Sequence, residues 1–189
     1  MTMSAYKYVS KFWKEKNPKF RKLRISRLVK WRREPSVTRI EYPTRIDRAR
    51  ALGYRRKKGF ILARVRVPRG GRRKSRPTSG RRSKKMGIRR ITPKKSRQWI
   101  AEERCGRHFQ NLEVLNSYPV LEDGLHRWFE VILVDPYASE IISDAKINWI
   151  CNPSSKGRVY RGKTSAGHKS RGLRRRGKGT EHIRPSYDR

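Results

Sequence analysis

The spacing of apolar residues changes several times along the chain, and each change predicts a different element. From Trp128 to Asp135 the run Trp-Phe-Glu-Val-Ile-Leu-Val-Asp is almost continuously apolar. A short β-branched and aromatic run of this kind is expected to be a strand covered on both faces. Pro136 should end it, because proline cannot continue a ladder. Leu112 to Tyr118 is a second strand candidate, and Asp123-Gly124 between the two runs is a turn signal. Residues 112–135 are therefore expected to form an antiparallel hairpin in the middle of a sheet. In Phe60 to Val67 the spacing is two: Ile61, Ala63, Val65 and Val67 share one face and Arg64 and Arg66 the other. That predicts a half-buried strand with a basic outer face.

Elsewhere the spacing is helical. Ser4 can cap a helix running to Lys16, with Ala5, Tyr8, Val9 and Phe12 on one core-facing stripe and Trp13 beside it. Asn17-Pro18 restarts the chain as an N-cap followed by an N1 proline. Phe20, Leu23, Leu28 and Trp31 are the apolar anchors of this second helix, while its other surface carries Arg21, Lys22, Arg24, Arg27, Lys30, Arg32 and Arg33. After Pro35 the chain should be extended to Tyr42. Thr44-Arg45-Ile46-Asp47 resembles a capping box for a helix ending at Leu52, with Gly53 as its C′ residue. Thr92-Pro93 or Ser96 opens a helix containing Trp99, Ile100, Ala101 and Cys105, with Gly106 near its end. A short helix is expected over Ala138–Ala145 and a last short strand over Ile147–Cys151. The sum is an α+β fold: a small antiparallel sheet packed by helices.

Composition changes this picture in two places. Between Pro68 and Lys95 the residues are mostly Gly, Pro, Ser, Lys and Arg, with no acid, and Met86, Ile88 and Ile91 are the only large apolar side chains. From Asn152 to Arg189 glycine recurs at 157, 162, 167, 172, 177 and 179 amid Arg, Lys and Ser. Neither stretch promises enough apolar burial to offset its ordering entropy. The expected division is a globular domain of residues 1–67 and 96–151, a basic arm of 68–95 and a basic Gly-rich tail of 152–189.

The net charge is +37, from 52 Lys and Arg against 15 Asp and Glu, with a sequence pI near 11.5. Self-repulsion on that scale calls for a polyanionic partner. Two cysteines give no disulfide framework, no apolar run approaches the roughly 18 residues of a membrane span, and the first residues lack the apolar segment of a signal peptide. The expected setting is a reducing cytosol, with no membrane and no small-molecule substrate.

Candidate chemistry is sparse. Gly172 to Lys178 imitates the opening of a phosphate-cradling loop, but Gly179 stands where Ser or Thr is needed and no strand precedes it. Cys105 and His108 have a ligand-like separation, yet His126, Cys151, His168 and His182 are scattered, so Cys105 is read as a small buried hydrophobe and no metal or cofactor is expected. Glu102-Glu103 and Glu122-Asp123 are the adjacent acid pairs; the first is poorly placed on a helix for joint acid/base work, and surface pairing with arginines is expected. Nothing indicates an enzyme.

The basic surface is the informative feature. Glycine allows close backbone approach to phosphate, Arg grips it bidentately and Lys acts as a point charge. The expected contacts are Arg21, Arg24, Arg27, Arg32, Arg64, Arg66 and Arg69 on the domain. In the arm they are Arg72, Arg73, Lys74, Arg76, Arg81, Arg82, Lys84, Lys85, Arg89 and Arg90. In the tail they are Arg161, Lys163, Lys169, Arg171, Arg174, Arg175, Arg176 and Lys178. Two glycine-interleaved arms on one domain point to folded RNA held by shape and backbone. A general nucleic-acid compacting protein of chromatin type is the alternative.

Several segments, in order, are similar to one family. They are Ala5-Tyr6-Lys7-Tyr8, Pro43-Thr44-Arg45, Leu52-Gly53-Tyr54, Arg64-Val65-Arg66-Val67 with Arg69-Gly70-Gly71-Arg72, Ala101-Glu102-Glu103-Arg104, Val114-Leu115-Asn116-Ser117-Tyr118, Phe129 through Pro136, and Thr164-Ser165-Ala166-Gly167 with Lys169-Ser170-Arg171-Gly172-Leu173. Together they resemble the archaeal and eukaryotic large-subunit ribosomal protein family numbered fifteen, "e" type. The resemblance implies an α+β fold, no catalysis, and a cytoplasmic, ribosome-bound protein that binds and stabilises large-subunit ribosomal RNA beside neighbouring ribosomal proteins. Past Leu173 the tail is shorter than the eukaryotic form, which gives the chain an archaeal look.

Overall fold

The computed structural model describes residues 4–14, 18–71, 74–88 and 93–174. Among them are four strands and six helices, in the order α1 (Ala5–Lys14), α2 (Pro18–Arg33), β1 (Val37–Ile40), α3 (Ile46–Ala51), β2 (Phe60–Pro68), α4 (Arg97–His108), β3 (Glu113–Glu122), β4 (His126–Val134), α5 (Ser139–Ile142) and α6 (Ser165–Ser170). The strands form one antiparallel sheet in the order β1-β2-β4-β3, which is the α+β architecture the periodicities predict.

Strand β4 is covered on both faces because its side chains alternate between two cores. Phe129, Val131 and Leu133 pack with Ala63, Val65 and Val67 of β2 against Trp99, Ala101 and Cys105 of α4. Trp128 and Ile132 point the other way, into a second core with Trp13, Phe20, Trp31, Ala49, Tyr54, Leu62 and Tyr118 supplied largely by α1, α2 and α3. A smaller third cluster joins Val134 to Ile141, Ile147 and Ile150. The hairpin forms as expected, but only β4 is inner. Strand β3 is an edge, since nothing in the described chain pairs with its outer side. Side chains cover its carbonyls instead. Arg158 Nη1 donates to Val114 O (2.6 Å) and Leu115 O (2.8 Å), and Gln98 Nε2 donates to Ser117 O (2.9 Å). Two register shifts and Pro119 further discourage pairing with another chain.

Local signals explain most boundaries. Ser96 Oγ accepts from Trp99 N and caps α4, so the helix starts from Ser96 and not from Thr92-Pro93. Gly53 follows α3 at φ +98°, the left-handed conformation expected of a C′ glycine. The capping box at Thr44 does not form. Arg45 is the N-cap residue without a side-chain cap, Asp47 accepts from Arg45, and Thr44 N donates to Glu130 instead. In α1 the core-facing stripe is half-buried Val9 and buried Trp13, while Tyr8 and Phe12 face out at 57% and 44% exposure. The expected stripe is therefore turned by one position. Leu23 of α2 is likewise exposed. Residues Asn148–Cys151 form a 3-10 turn and not a strand, because Ile147 and Ile150 point together into the third cluster, a spacing of three that suits a 3-10 turn.

The outer face of β2 is not an open basic surface. Leu62 is buried, and Arg64 lies over the Trp31 ring (4.1 Å) while pairing with Glu34 (2.6 Å). Core burial also continues past residue 151. Val159 and Ala166 belong to the α4-side core, and Thr164 and Gly167 are buried. The stretch 152–174 is packed onto the domain, so a tail beginning at 152 starts too early. The remainder, 175–189, lies outside the described residues.

Candidate nucleic-acid interface

Among the described residues three carboxylates, Glu102, Glu103 and Glu130, are withdrawn from the surface. Glu102 and Glu130 are fully buried. Glu102 accepts from Ser117 Oγ and from Thr164 Oγ1, the latter at 2.5 Å. Burial raises its pKa, partly countered by those two hydroxyls and by nearby Arg158. Glu130, paired in register with Arg64 on one side and Tyr118 on the other, accepts from Tyr118 Oη (2.5 Å) and Thr44 N (3.0 Å). Its pKa is also raised by burial. Burial likewise raises Tyr118, reinforced by the adjacent carboxylate, and burial pushes the Cys105 thiol up to about 12. Cys105 is thus the inert apolar filler expected of it. Glu103, by contrast with the expected surface pair, is buried and held by Lys95 (2.6 Å).

Two acids that reach the surface, Glu122 and Asp123, are neutralised at the hairpin tip. Asp123 accepts from Leu125 N, His126 N and Arg32 Nε (2.9 Å). Slight burial would raise its pKa, but these donors outweigh it and hold the carboxyl below its ordinary value. Arg69 donates to Asp123 O (2.9 Å) and lies 4.0 Å from Glu122, which also pairs with Arg127. Arg66 donates to Arg32 O (2.6 Å) and its own carbonyl accepts from Arg104 (3.2 Å). The structure thereby gathers Arg32, Arg66 and Arg69 at one end of the sheet.

The same end holds both roots of the 68–95 segment. Arg97 Nε donates to Pro68 O (3.1 Å), where the segment leaves β2. Where it returns, Ser170 Oγ donates to Lys94 O (2.9 Å) and accepts from Ser96 N (2.9 Å), seating the end of α6 against the start of α4. Between the roots lies an open cleft of about 470 Å³, with Arg69, Lys95, Arg97 and Arg104 on its walls and Val67 and Ile100 among its apolar residues. Lys95, Arg97 and Arg104 are absent from the sequence-predicted contacts. The seven-residue spacing of 97 and 104, which places both on one face of a helix, was the available signal.

The remaining predicted contacts divide three ways. Arg21, Lys74, Arg76, Arg81, Arg82, Lys84, Lys85, Lys163, Lys169 and Arg174 are exposed and have no acid partner among the described residues. Others are partly occupied by the protein itself. Arg24 stacks over Phe20 (4.6 Å) and donates to Trp13 O (3.2 Å), and Arg64 is clamped as described. Arg27 is half-buried, and the exposed Arg161 and Arg171 each donate to backbone carbonyls. Arg72, Arg73, Arg89, Arg90, Arg175, Arg176 and Lys178 lie outside the described residues.

Comparison with known sequences agrees in length and order. The sequence model of a family described as Ribosomal L15 matches residues 4–189. The Large ribosomal subunit protein eL15 of Methanospirillum hungatei JF-1 is 55% identical over 187 residues, covering 98% of this chain and 95% of its own. The protein of the same name from Methanocella arvoryzae is 53% identical over 187 residues, again 98% and 95%.

Proposed function

We propose, from the premise that the chain belongs to the Ribosomal L15 family, that its cationic surface holds large-subunit ribosomal RNA in its folded form. As a member of that family it is a structural protein of the large ribosomal subunit, working in the cytoplasm within the ribosome, and not an enzyme. The finer reading, which groups touch RNA, rests on one observation. A chain with 52 basic and 15 acidic residues also buries Glu102, Glu103 and Glu130 and pairs Glu34, Asp47, Glu122, Asp123 and Asp144 with its own cations. What remains outside is a cation surface with little internal neutralisation, and phosphate supplies it.

On this reading Arg21 of α2, the gathered arginines at the hairpin tip, and the 68–95 segment contact phosphate. The arm inserts between RNA helices from its root at α4. Arg24 and Arg64 position aromatic side chains and do not contribute primary phosphate contacts. Neighbouring large-subunit proteins meet the exposed apolar side chains that RNA leaves uncovered.

The test is reconstitution. Labelled protein mixed with large-subunit ribosomal RNA and with duplex DNA of equal length is run on gradients at 150 mM salt. Retention on the ribosomal RNA in excess of duplex DNA is the expected result. Protein sedimenting free of the ribosomal RNA, or equally on both, overturns the reading.

A further inference from the structure

The geometry points to a second, base-reading site at the opposite end of the sheet from the cationic cleft: a pocket for one unstacked RNA base that carries an exocyclic amino group. This rests on the RNA-binding reading above and makes it specific at one position. The pocket encloses about 380 Å³ between the α4–β3 loop, the turn after β4 and the 3-10 turns Asn148–Cys151 and Pro153–Ser155 that follow α5. Its floor includes buried Ile150.

Three of the chain's seven side-chain amides, Gln110, Asn111 and Asn152, converge on it. Amides present paired donors and acceptors, the groups that read base edges. Tyr137 stands at the wall and is 79% exposed. Its backbone is fixed by a hydrogen bond from its own N–H to Asp135 Oδ1 (3.0 Å). A large, oriented, solvent-facing aromatic ring is a stacking platform for a base.

Glu113 decides which part of a nucleotide enters. One of its oxygens accepts from Gly157 N (2.9 Å), which aims the carboxylate along the pocket wall. A carboxylate repels phosphate, so phosphate stays outside and the base goes in. The same group accepts from amino hydrogens, which adenine, guanine and cytosine offer and uracil does not. Cations wait where the phosphate would remain. Lys156 lines the pocket, and Arg161 donates to Lys156 O (2.6 Å) directly beside it.

The test uses the full-length protein bound to large-subunit ribosomal RNA. Base-specific reagents (dimethyl sulfate, kethoxal and carbodiimide) report the Watson–Crick edges, and hydroxyl radicals report the backbone. Wild type should protect a single non-helical A, G or C. Tyr137→Ala and the double variant Asn111→Ala/Asn152→Ala should each restore that nucleotide's reactivity by about fivefold or more, the lower end of what one base–aromatic stack contributes. Glu113→Gln, which keeps an acceptor for Gly157, should do the same. The rest of the footprint should not change. If the wild-type footprint is present but no variant releases a single base, or if the released base is uracil, the pocket is not a base-reading site although the RNA-binding reading stands. If wild type leaves no footprint at all, the RNA-binding reading fails first and the pocket with it.

Discussion

Thr164 Oγ1 donates to Glu102 Oε2 at 2.5 Å across 62 residues of chain, while its own oxygen accepts from Gly167 N at the start of α6. One buried hydroxyl thus caps a helix and ties the segment after residue 151 to α4. Thr164→Val keeps the shape and removes both functions, leaving a buried carboxyl short of one donor. The expected loss is about 1–3 kcal/mol, read from the urea midpoint. Limited proteolysis should cut first between residues 152 and 174. A variant as stable as wild type would show that this segment is not held by the Thr164 bond.

The buried glutamates give an unusual pH dependence. Glu102 has its folded pKa raised above the ordinary 4.5 by burial, so above that value the folded state binds more protons than the unfolded one. Its stabilising contribution is then complete below about 4.5 and is lost as pH rises through the raised folded value. Asp123 and Asp144 are lowered from 3.8 and titrate beneath that window. His168 is lowered from 6.5 by burial and by nearby arginines, a contribution of opposite sign that wild type and a Glu102 variant share. The wild-type minus Glu102→Gln stability difference should therefore fall as pH rises from 4.5 toward neutrality. A difference that is flat across this range would mean that Glu102 is ionised as easily as in water.

A close backbone contact fixes α6. A Cβ added at Gly167 would lie 2.6 Å from Gly162 Cα and 2.7 Å from its carbonyl carbon and oxygen. Gly162 itself has φ +64° and is walled by Trp99. Gly167→Ala should cost about 1–3 kcal/mol through overpacking, despite alanine's better helix propensity. Gly87→Ala, which meets nothing within 4 Å, should stay within about 0.5 kcal/mol of wild type. Comparable thermal midpoints for the two variants would refute the contact.

The strands were readable because their information is local. The alternation in β2 and the nearly continuous apolar run of β4 each mark a strand, and the β4 run also states that both of its faces are covered. What escaped depends on partners distant in sequence. Glu102 meets Ser117 and Thr164, and Glu130 meets Thr44 and Tyr118, so neither acid differs from a surface glutamate until the fold assembles. The α1 stripe differs from the expected one because Val9 and Trp13, four apart, face the second core, where the guanidiniums of Arg24 and Arg45 lie 5.6 and 5.0 Å from the Trp13 ring. Two apolar residues in a glycine-rich basic stretch, Val159 and Ala166, dock residues 152–174 together with the hydrogen bonds of Arg158, Thr164 and Ser170. Their burial follows from a surface that α4 already offers, which composition alone does not display. The cationic contacts were legible as a class, but the split between clamped Arg64 and open Arg76 required the aromatic neighbours.

The arm and the core should separate cleanly under mutation. Arg76, Arg81, Arg82 and Lys85 are exposed, so replacing all four with Ser should leave the circular dichroism spectrum and the urea midpoint unchanged. If each touches one phosphate, the log–log salt slope of ribosomal RNA binding should become shallower by about 3, at roughly 0.7–0.9 per contact. Ile132→Asp tests the opposite case. Ile132 is fully buried in β4, and an unpaired charge there costs about 3–5 kcal/mol, a large share of the 5–15 kcal/mol that holds a typical domain together. That variant should lose its folded spectrum, and with it the shaped surface that selects ribosomal RNA over duplex DNA. An arm variant that unfolds with it would place residues 76–85 inside the cooperative domain. An arm variant with unchanged structure and unchanged salt slope would remove those four cations from the RNA interface.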